Sequence, residues 1–215
     1  MILGIDPRND YAFKRVFGNE DHPRVLVHIL NAVLKPPADQ LIVSVEFINP
    51  ALMGDVIDEK LSILDVRARD QSGQQFNIEM QMSMHAHFHS RFLYYWARLH
   101  GSQLERGDDY GLLRPTISIC FVDGVLFRDV ADCHLSFALI DQHHGVRFVD
   151  QIQFHVFQLP NFQKTADELE DALEMWLYFL NNGREMDTDA VPQNMSIPEM
   201  HEALEILEMC NILAI

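Results

Sequence analysis

No stretch of the 215-residue chain approaches the ~18 consecutive uncharged apolar residues of a membrane-spanning helix. The N-terminus, MILGIDPRNDYAFKR, lacks a basic segment followed by a long apolar run, so nothing in it reads as a secretory signal. Cysteine is scarce: Cys120, Cys133 and Cys210 show no CxxC spacing, and an odd count is a poor disulfide framework. They read as buried thiols of a soluble, cytoplasmic protein. Internal repeats and low-complexity tracts are absent, which removes solenoids and linkers from consideration. Positive charge is also short, with 16 Lys and Arg against 32 Asp and Glu. Such a balance argues against a surface built throughout for nucleic acid, whose phosphates select for cations.

That average hides an asymmetry. Residues 1–106 hold 11 basic and 13 acidic side chains, a net of −2, whereas residues 107–215 hold 5 and 19, a net of −14. A polyanion site is compatible with the first half if some of its carboxylates hold metal, and the second half would repel one. What is plentiful is apolar: 48% of residues are hydrophobic and 22% charged, the profile of a globular chain with a sizeable core. The length suits one domain with an appendage, or two small domains.

Helix signals open the chain. Residues 7–18 have Asn9 or Asp10 at the N-terminal end and Gly18 as a stop, and residues 22–35 repeat Val25, Ile29 and Val33 on one face until Pro36-Pro37. Strand signals follow at 41–48, 61–69 and 75–83, and a long helix is expected over 86–106. Three further strands are expected at 115–123, 133–140 and 151–159, with Pro160 closing the mixed region. From Asp167 the chain turns to acidic helix, over 167–180 and again from 199. The expected organisation is a mixed α/β domain over 1–160 and an acidic helical extension over 161–215. The stripe Leu169, Leu173, Trp176 reads as helix-packing core, against the body or a second copy, so a homodimer is one arrangement it allows.

The run 61–83 separates two faces. Phe76, Ile78, Met80 and Met82 alternate with Gln75, Asn77, Glu79 and Gln81, while Leu64, Val66 and Ala68 alternate with Asp65, Arg67 and Arg69. A connection through Gln71-Ser72-Gly73, with glycine where positive φ is needed, makes residues whose numbers sum to 144 face each other. Asp65 then faces Glu79. Carboxylates directly across a ladder have Cβ atoms ~4.5–5.5 Å apart and repel unless a positive charge lies between them. A hard divalent cation answers this, since Mg²⁺ takes oxygen ligands and keeps several waters. Gln81, on the same face, is placed to hold a metal-bound water in line with a phosphorus. The competing reading is a solvated sheet face on which Arg67 and Arg69 neutralise Asp65 and Glu79. His85, His87 and His89 alternate too, but they stand where strand gives way to helix and read as a polar loop rather than a metal site. His143-His144 before Gly145 reads as a turn.

Taken in order, Asn9-Asp10-Tyr11-Ala12-Phe13-Lys14-Arg15-Val16-Phe17-Gly18, Leu64-Asp65-Val66, Asp70, Gly73, Asn77-Ile78-Glu79-Met80-Gln81, Arg91-Phe92-Leu93-Tyr94-Tyr95 and Gly107-Asp108-Asp109-Tyr110 resemble the PD-(D/E)XK nuclease superfamily, and within it the recombination-promoting nuclease and putative transposase branch. The likeness continues through Leu113-Arg114-Pro115 and Ile117-Ser118-Ile119, and so spans roughly residues 6–123. It implies a restriction-endonuclease-like central mixed sheet flanked by helices, and Mg²⁺-dependent (or Mn²⁺-dependent) DNA endonuclease activity. It maps Asp65 and Glu79 onto the metal-binding carboxylates, Gln81 onto the place of the superfamily lysine and Asp10 onto the acidic position of the first helix. It also implies relatives that continue beyond Ile215, which would make that end a truncation within a helix.

The resulting expectation is a metal-dependent DNA endonuclease acting in recombination or as a mobile-element remnant. Asp65, Glu79 and the Met80 carbonyl would hold the metal, and Gln81 would orient the water. Lys14 and Arg91 are candidates for phosphate contacts; Tyr95 and Arg98 share a helix face with Arg91 at i+4 and i+7. The rival is a weakly catalytic or inactive DNA- or protein-binding module on the same fold, consistent with glutamine in place of lysine and with the acidity.

Overall fold

The computed structural model describes residues 3–48, 66–83 and 86–213. Asp65, His85 and the first half of the expected 61–69 strand lie outside the described residues. The chain divides into two compact units, one formed by residues 1–45 with 159–215 and the other by residues 46–158.

The first unit is helical. Helix α1 (Asp10–Phe17) starts where Asn9 accepts the backbone N–H of Tyr11 through its side chain, and it buries Ala12, Phe13, Val16 and Phe17. A side-chain acceptor at this position satisfies one of the orphan donors of a helix start. Helix α2 (Pro23–Leu34) has proline in its first turn, buries Val25, Leu26, Ile29, Leu30 and Val33, and stops at Lys35 in the left-handed conformation, just before Pro36-Pro37. Helices α4 (Ala172–Asn182) and α5 (Pro198–Leu213) belong to the same unit: α1 packs on α5, and α2 on both α4 and α5. At their junction Trp176 is fully buried, edge-on to Phe17 and Phe179, with its indole N–H donating to His28 Nδ1 at 2.9 Å. The acidic residues at the start of α4 cap it or form ion pairs: Asp171, just before the helix, accepts from the Glu174 N–H, and Lys164 bridges Glu170 and Glu174.

The second unit carries a six-stranded mixed sheet of order β1-β2-β3-β4-β6-β5, formed by β1 (Val45–Phe47), β2 (Val66–Asp70), β3 (Gln75–Gln81), β4 (Thr116–Val122), β5 (His134–Ala138) and β6 (Ile152–Gln158). Strands β2 and β3 form an antiparallel hairpin, β3, β4 and β6 run parallel, and β5 returns antiparallel to β6. The parallel step from β3 to β4 is bridged by α3 (Phe88–Gly101), the crossover such pairing requires. All seven residues of β3 and all seven of β4 are buried, as expected of parallel strands covered on both faces.

Three expectations are corrected at element ends. The strand expected over 41–48 is formed only by Val45–Phe47, and Val43 is exposed. The helix expected over 86–106 ends at Gly101, because Ser102 turns its hydroxyl onto the Leu99 carbonyl and Gln103 ties to Arg114 and Thr116. Met82, expected on the core face, lies one residue past the last ladder pair and is exposed. Among the described residues no helix is long and apolar enough to cross a membrane.

Candidate active site on the buried polar face of the central hairpin

The hairpin register is set by its turn. Asp70 accepts from the Ser72 N–H and hydroxyl at 2.8 and 2.7 Å and from the Gln74 N–H at 3.0 Å, which folds the chain back on itself, and Gly73 takes φ +89°. Val66 then pairs with Ile78, Arg67 with Asn77, Ala68 with Phe76 and Arg69 with Gln75, all sums of 144. The described ladder ends at Val66, one residue short of Asp65, so its continuation to Asp65 and Glu79 falls outside the described residues.

Gln75, Asn77, Glu79 and Gln81 alternate onto one face of β3 and are 8%, 1%, 2% and 4% exposed. This disposes of a solvated face. In the parallel register Asn77 stands beside Ser118, Glu79 beside Cys120 and Gln81 beside Val122. Cys120, Val122 and Val156 are the floor on which α3 sets Phe88 and Phe92, so the helix packs on the apolar part of this face. Burying each phenyl ring contributes about 1.5–3 kcal/mol and fixes the rotation of the helix. Arg91 is consequently directed at the strand end, where it donates to Gln81 Oε1 at 2.5 Å. Trp96 and His100 anchor the far end of α3 on Thr116.

Buried carboxylates and amides are costly unless partnered, and the partners are specific. Asn77 Nδ2 donates to Glu79 Oε1 at 2.7 Å, while Asn77 Oδ1 and Ser118 Oγ, side by side in the register, have no hydrogen-bond partner among the described residues. Gln81 Nε2 approaches the Met80 carbonyl at 3.3 Å. The Gln81 carbonyl is taken by the Asp123 N–H, and since carbonyls along a strand alternate in direction, the Met80 carbonyl points toward the β2 side. Arg69 pairs with Glu46 of β1 at 2.6 Å, and Arg67 is buried at the cross-strand position of Asn77.

The site residues nominated from sequence are thus distributed unequally. Glu79, Met80, Gln81 and Arg91 come together in the sheet unit. Tyr95 and Arg98 follow Arg91 along α3, and the Arg98 guanidinium lies 5.9 Å over the Tyr94 ring. Asp10 and Lys14 are one turn apart on α1, in the helical unit. Sequence reasoning missed Asn77 and Ser118 as members of the site; the polar alternation of β3 was the available signal for Asn77, and nothing local marked Ser118. His87 and His89 are exposed, and among the described residues no three His, Cys, Asp or Glu side chains converge as a metal cluster. Asp141 accepts the His143 and His144 N–H groups, with Gly145 at φ +69°, so that pair is a turn.

A mixed sheet with helical crossover and a carboxylate-bearing hairpin strand at its centre defines the α/β class of the PD-(D/E)XK nucleases. The chain belongs to that group at the family level: the model of the PD-(D/E)XK nuclease family transposases matches residues 7–212. Comparison with curated proteins and with solved structures returned no match.

Proposed function

We propose that the protein is a divalent-metal-dependent DNA endonuclease of the recombination-promoting, transposase-like type, acting in the cytoplasm. The observation that carries the reading is the buried polar row Asn77, Glu79, Gln81 on one face of β3, with Ser118 beside it and Arg91 closing on Gln81. A fold without use for such a row would replace it with packed hydrocarbon at no loss of stability.

The donor set fits Mg²⁺ or Mn²⁺: Glu79 and the Met80 carbonyl offer oxygen, and the unpartnered Asn77 Oδ1 and Ser118 Oγ are further oxygen atoms beside them. Asp65, by the register, would supply the second carboxylate. When bound, the cation would offset charge on the phosphate and lower the pKa of a coordinated water. The chain's own contribution is positioning. Asn77 holds the Glu79 carboxylate by its Oε1, and Gln81, with one amide proton and one carbonyl lone pair left after its bonds to Met80 and Arg91, is able to orient a water. Asp10 is assigned an assisting acidic role, and Lys14, Tyr95 and Arg98 contacts with the DNA backbone. The acidic residues of the second half would repel the DNA phosphates and take no part in binding them.

The test is plasmid nicking with and without Mg²⁺ for wild type, Asp65→Ala and Glu79→Gln. Metal-dependent nicking lost in both variants is the expected result. Equal nicking by wild type and variants would remove these carboxylates from catalysis. The second reading, a DNA- or protein-binding module, is favoured by one feature, the neutral Gln81 in the lysine position, and DNA binding without cleavage at any Mg²⁺ or Mn²⁺ concentration would select it.

A further inference from the structure

The row on β3 leaves a chemical deficit, because electrostatic stabilisation of charge developing on phosphorus is often the largest catalytic term, and a glutamine amide carries no charge to supply it. We propose that Arg91, delivered from α3, supplies at the scissile phosphate the positive charge that position 81 lacks, with Gln81 as the strut that holds its guanidinium there. The inference rests on the nuclease reading and adds to it a residue that acts on the reacting group.

Three observations converge on Arg91. Its neighbours Phe88 and Phe92 are buried against Cys120, Val122 and Val156, so the helix has no freedom to rotate Arg91 elsewhere. Its Nη2 donates to Gln81 Oε1, two residues along the same face from Glu79. An arginine has only donors, so it dictates which end of the amide faces it: Oε1 turns toward Arg91, and Nε2 toward the Met80 carbonyl. The guanidinium keeps further N–H donors in a planar fork suited to two oxygens of a phosphate. A lysine at 81 would bring its charge directly from the strand; here a neutral side chain on the strand and a cation on the helix divide the same task.

This makes the two positions interchangeable as sources of charge, which neither a packing role nor a remote backbone contact would do. Four proteins should be compared: wild type, Arg91→Ala, Arg91→Lys and the double variant Gln81→Lys/Arg91→Ala. Single-turnover nicking of supercoiled plasmid at saturating Mg²⁺ is read beside the affinity for a short duplex across a salt series without divalent cation, and thermal unfolding reports that each protein is folded.

Arg91→Ala should slow nicking by about 100-fold, the size of a lost charge-stabilising donor, and lower the salt slope of binding by about 1. Arg91→Lys should retain most of the rate. The double variant should recover nicking to within about tenfold of wild type and restore the slope. A folded double variant as slow as Arg91→Ala overturns the proposal, as does Arg91→Ala nicking at the wild-type rate with weakened binding. If wild type binds DNA but cuts nothing, the nuclease reading fails, and the salt slope decides alone: loss in Arg91→Ala with recovery in the double variant supports the exchange of charge, and an unchanged slope overturns it.

Discussion

Asn77 and Glu79 stand two residues apart on one face of β3, and the Asn77 amide donates to Glu79 Oε1 at 2.7 Å in a place neither side chain shares with bulk water. A donor of this kind aims a carboxylate before any ligand arrives. Outer partners of metal ligands typically govern 10–100-fold in affinity. Asn77→Leu, which keeps the volume and removes the donor, should therefore weaken Mn²⁺ binding by at least about tenfold. Calorimetric titration checks this, and an unchanged affinity would detach Asn77 from the site.

Glu79→Gln separates charge from shape. A ligand that binds only the folded protein stabilises it by about 2.7 kcal/mol at a concentration 100 times its dissociation constant. Wild type should gain that stabilisation in Mn²⁺ or Mg²⁺, seen as a rise in Tm, and Glu79→Gln should gain none. The same rise in both proteins would put the cation elsewhere.

His155 makes stability depend on acid. It is buried on β6, stacked on His134 with Nδ1 and Nε2 2.9 Å apart, and burial together with the neighbouring imidazole pushes its pKa down to about 4 from 6.5. The folded state therefore resists a proton that the unfolded chain accepts. The resulting stability is fully present above pH 6.5 and is lost as the pH falls toward about 4, a window amounting to about 3 kcal/mol. His28 and His100, also lowered by burial, act in the same direction. Urea midpoints measured from pH 7.5 downward should fall through this window, and His155→Phe should flatten the fall. An equal slope in the variant would assign the acid sensitivity to other groups.

Truncation should be far more damaging than an appendage would suggest. Helices α4 and α5 cover α1 and α2, and Trp176 touches Phe17 and His28 across that junction. Deleting 165–215 should abolish cooperative unfolding of the helical unit, as read by far-ultraviolet circular dichroism. The point variant Trp176→Ala should cost about 3–5 kcal/mol in urea denaturation. A cooperative transition of wild-type midpoint in either protein would contradict this packing.

Much of the site was legible without coordinates. Period-2 alternation on β3, an Asx turn at Asp70 and a glycine at φ +89° are local properties, and together they define the pairing of 66–69 with 75–78. The Asn9 cap and the Pro36-Pro37 stop are local in the same sense. Alternation alone misled at Met82, because a pattern persists in sequence after the hydrogen-bond ladder that gives it meaning has ended.

The sequence by itself therefore determined the hairpin, its register and the identity of its polar face, since each depends on dihedral preferences and side-chain alternation within about twenty residues. Only the tertiary structure decided that this face is buried, that Arg91 closes on Gln81, that Ser118 stands beside Asn77, and that the last helices share a core with the first. Each of these is a contact between different elements, chosen by which apolar surfaces cover one another, and even Arg91 and Gln81, ten residues apart, meet only because α3 docks on the sheet, so no local period records the choice.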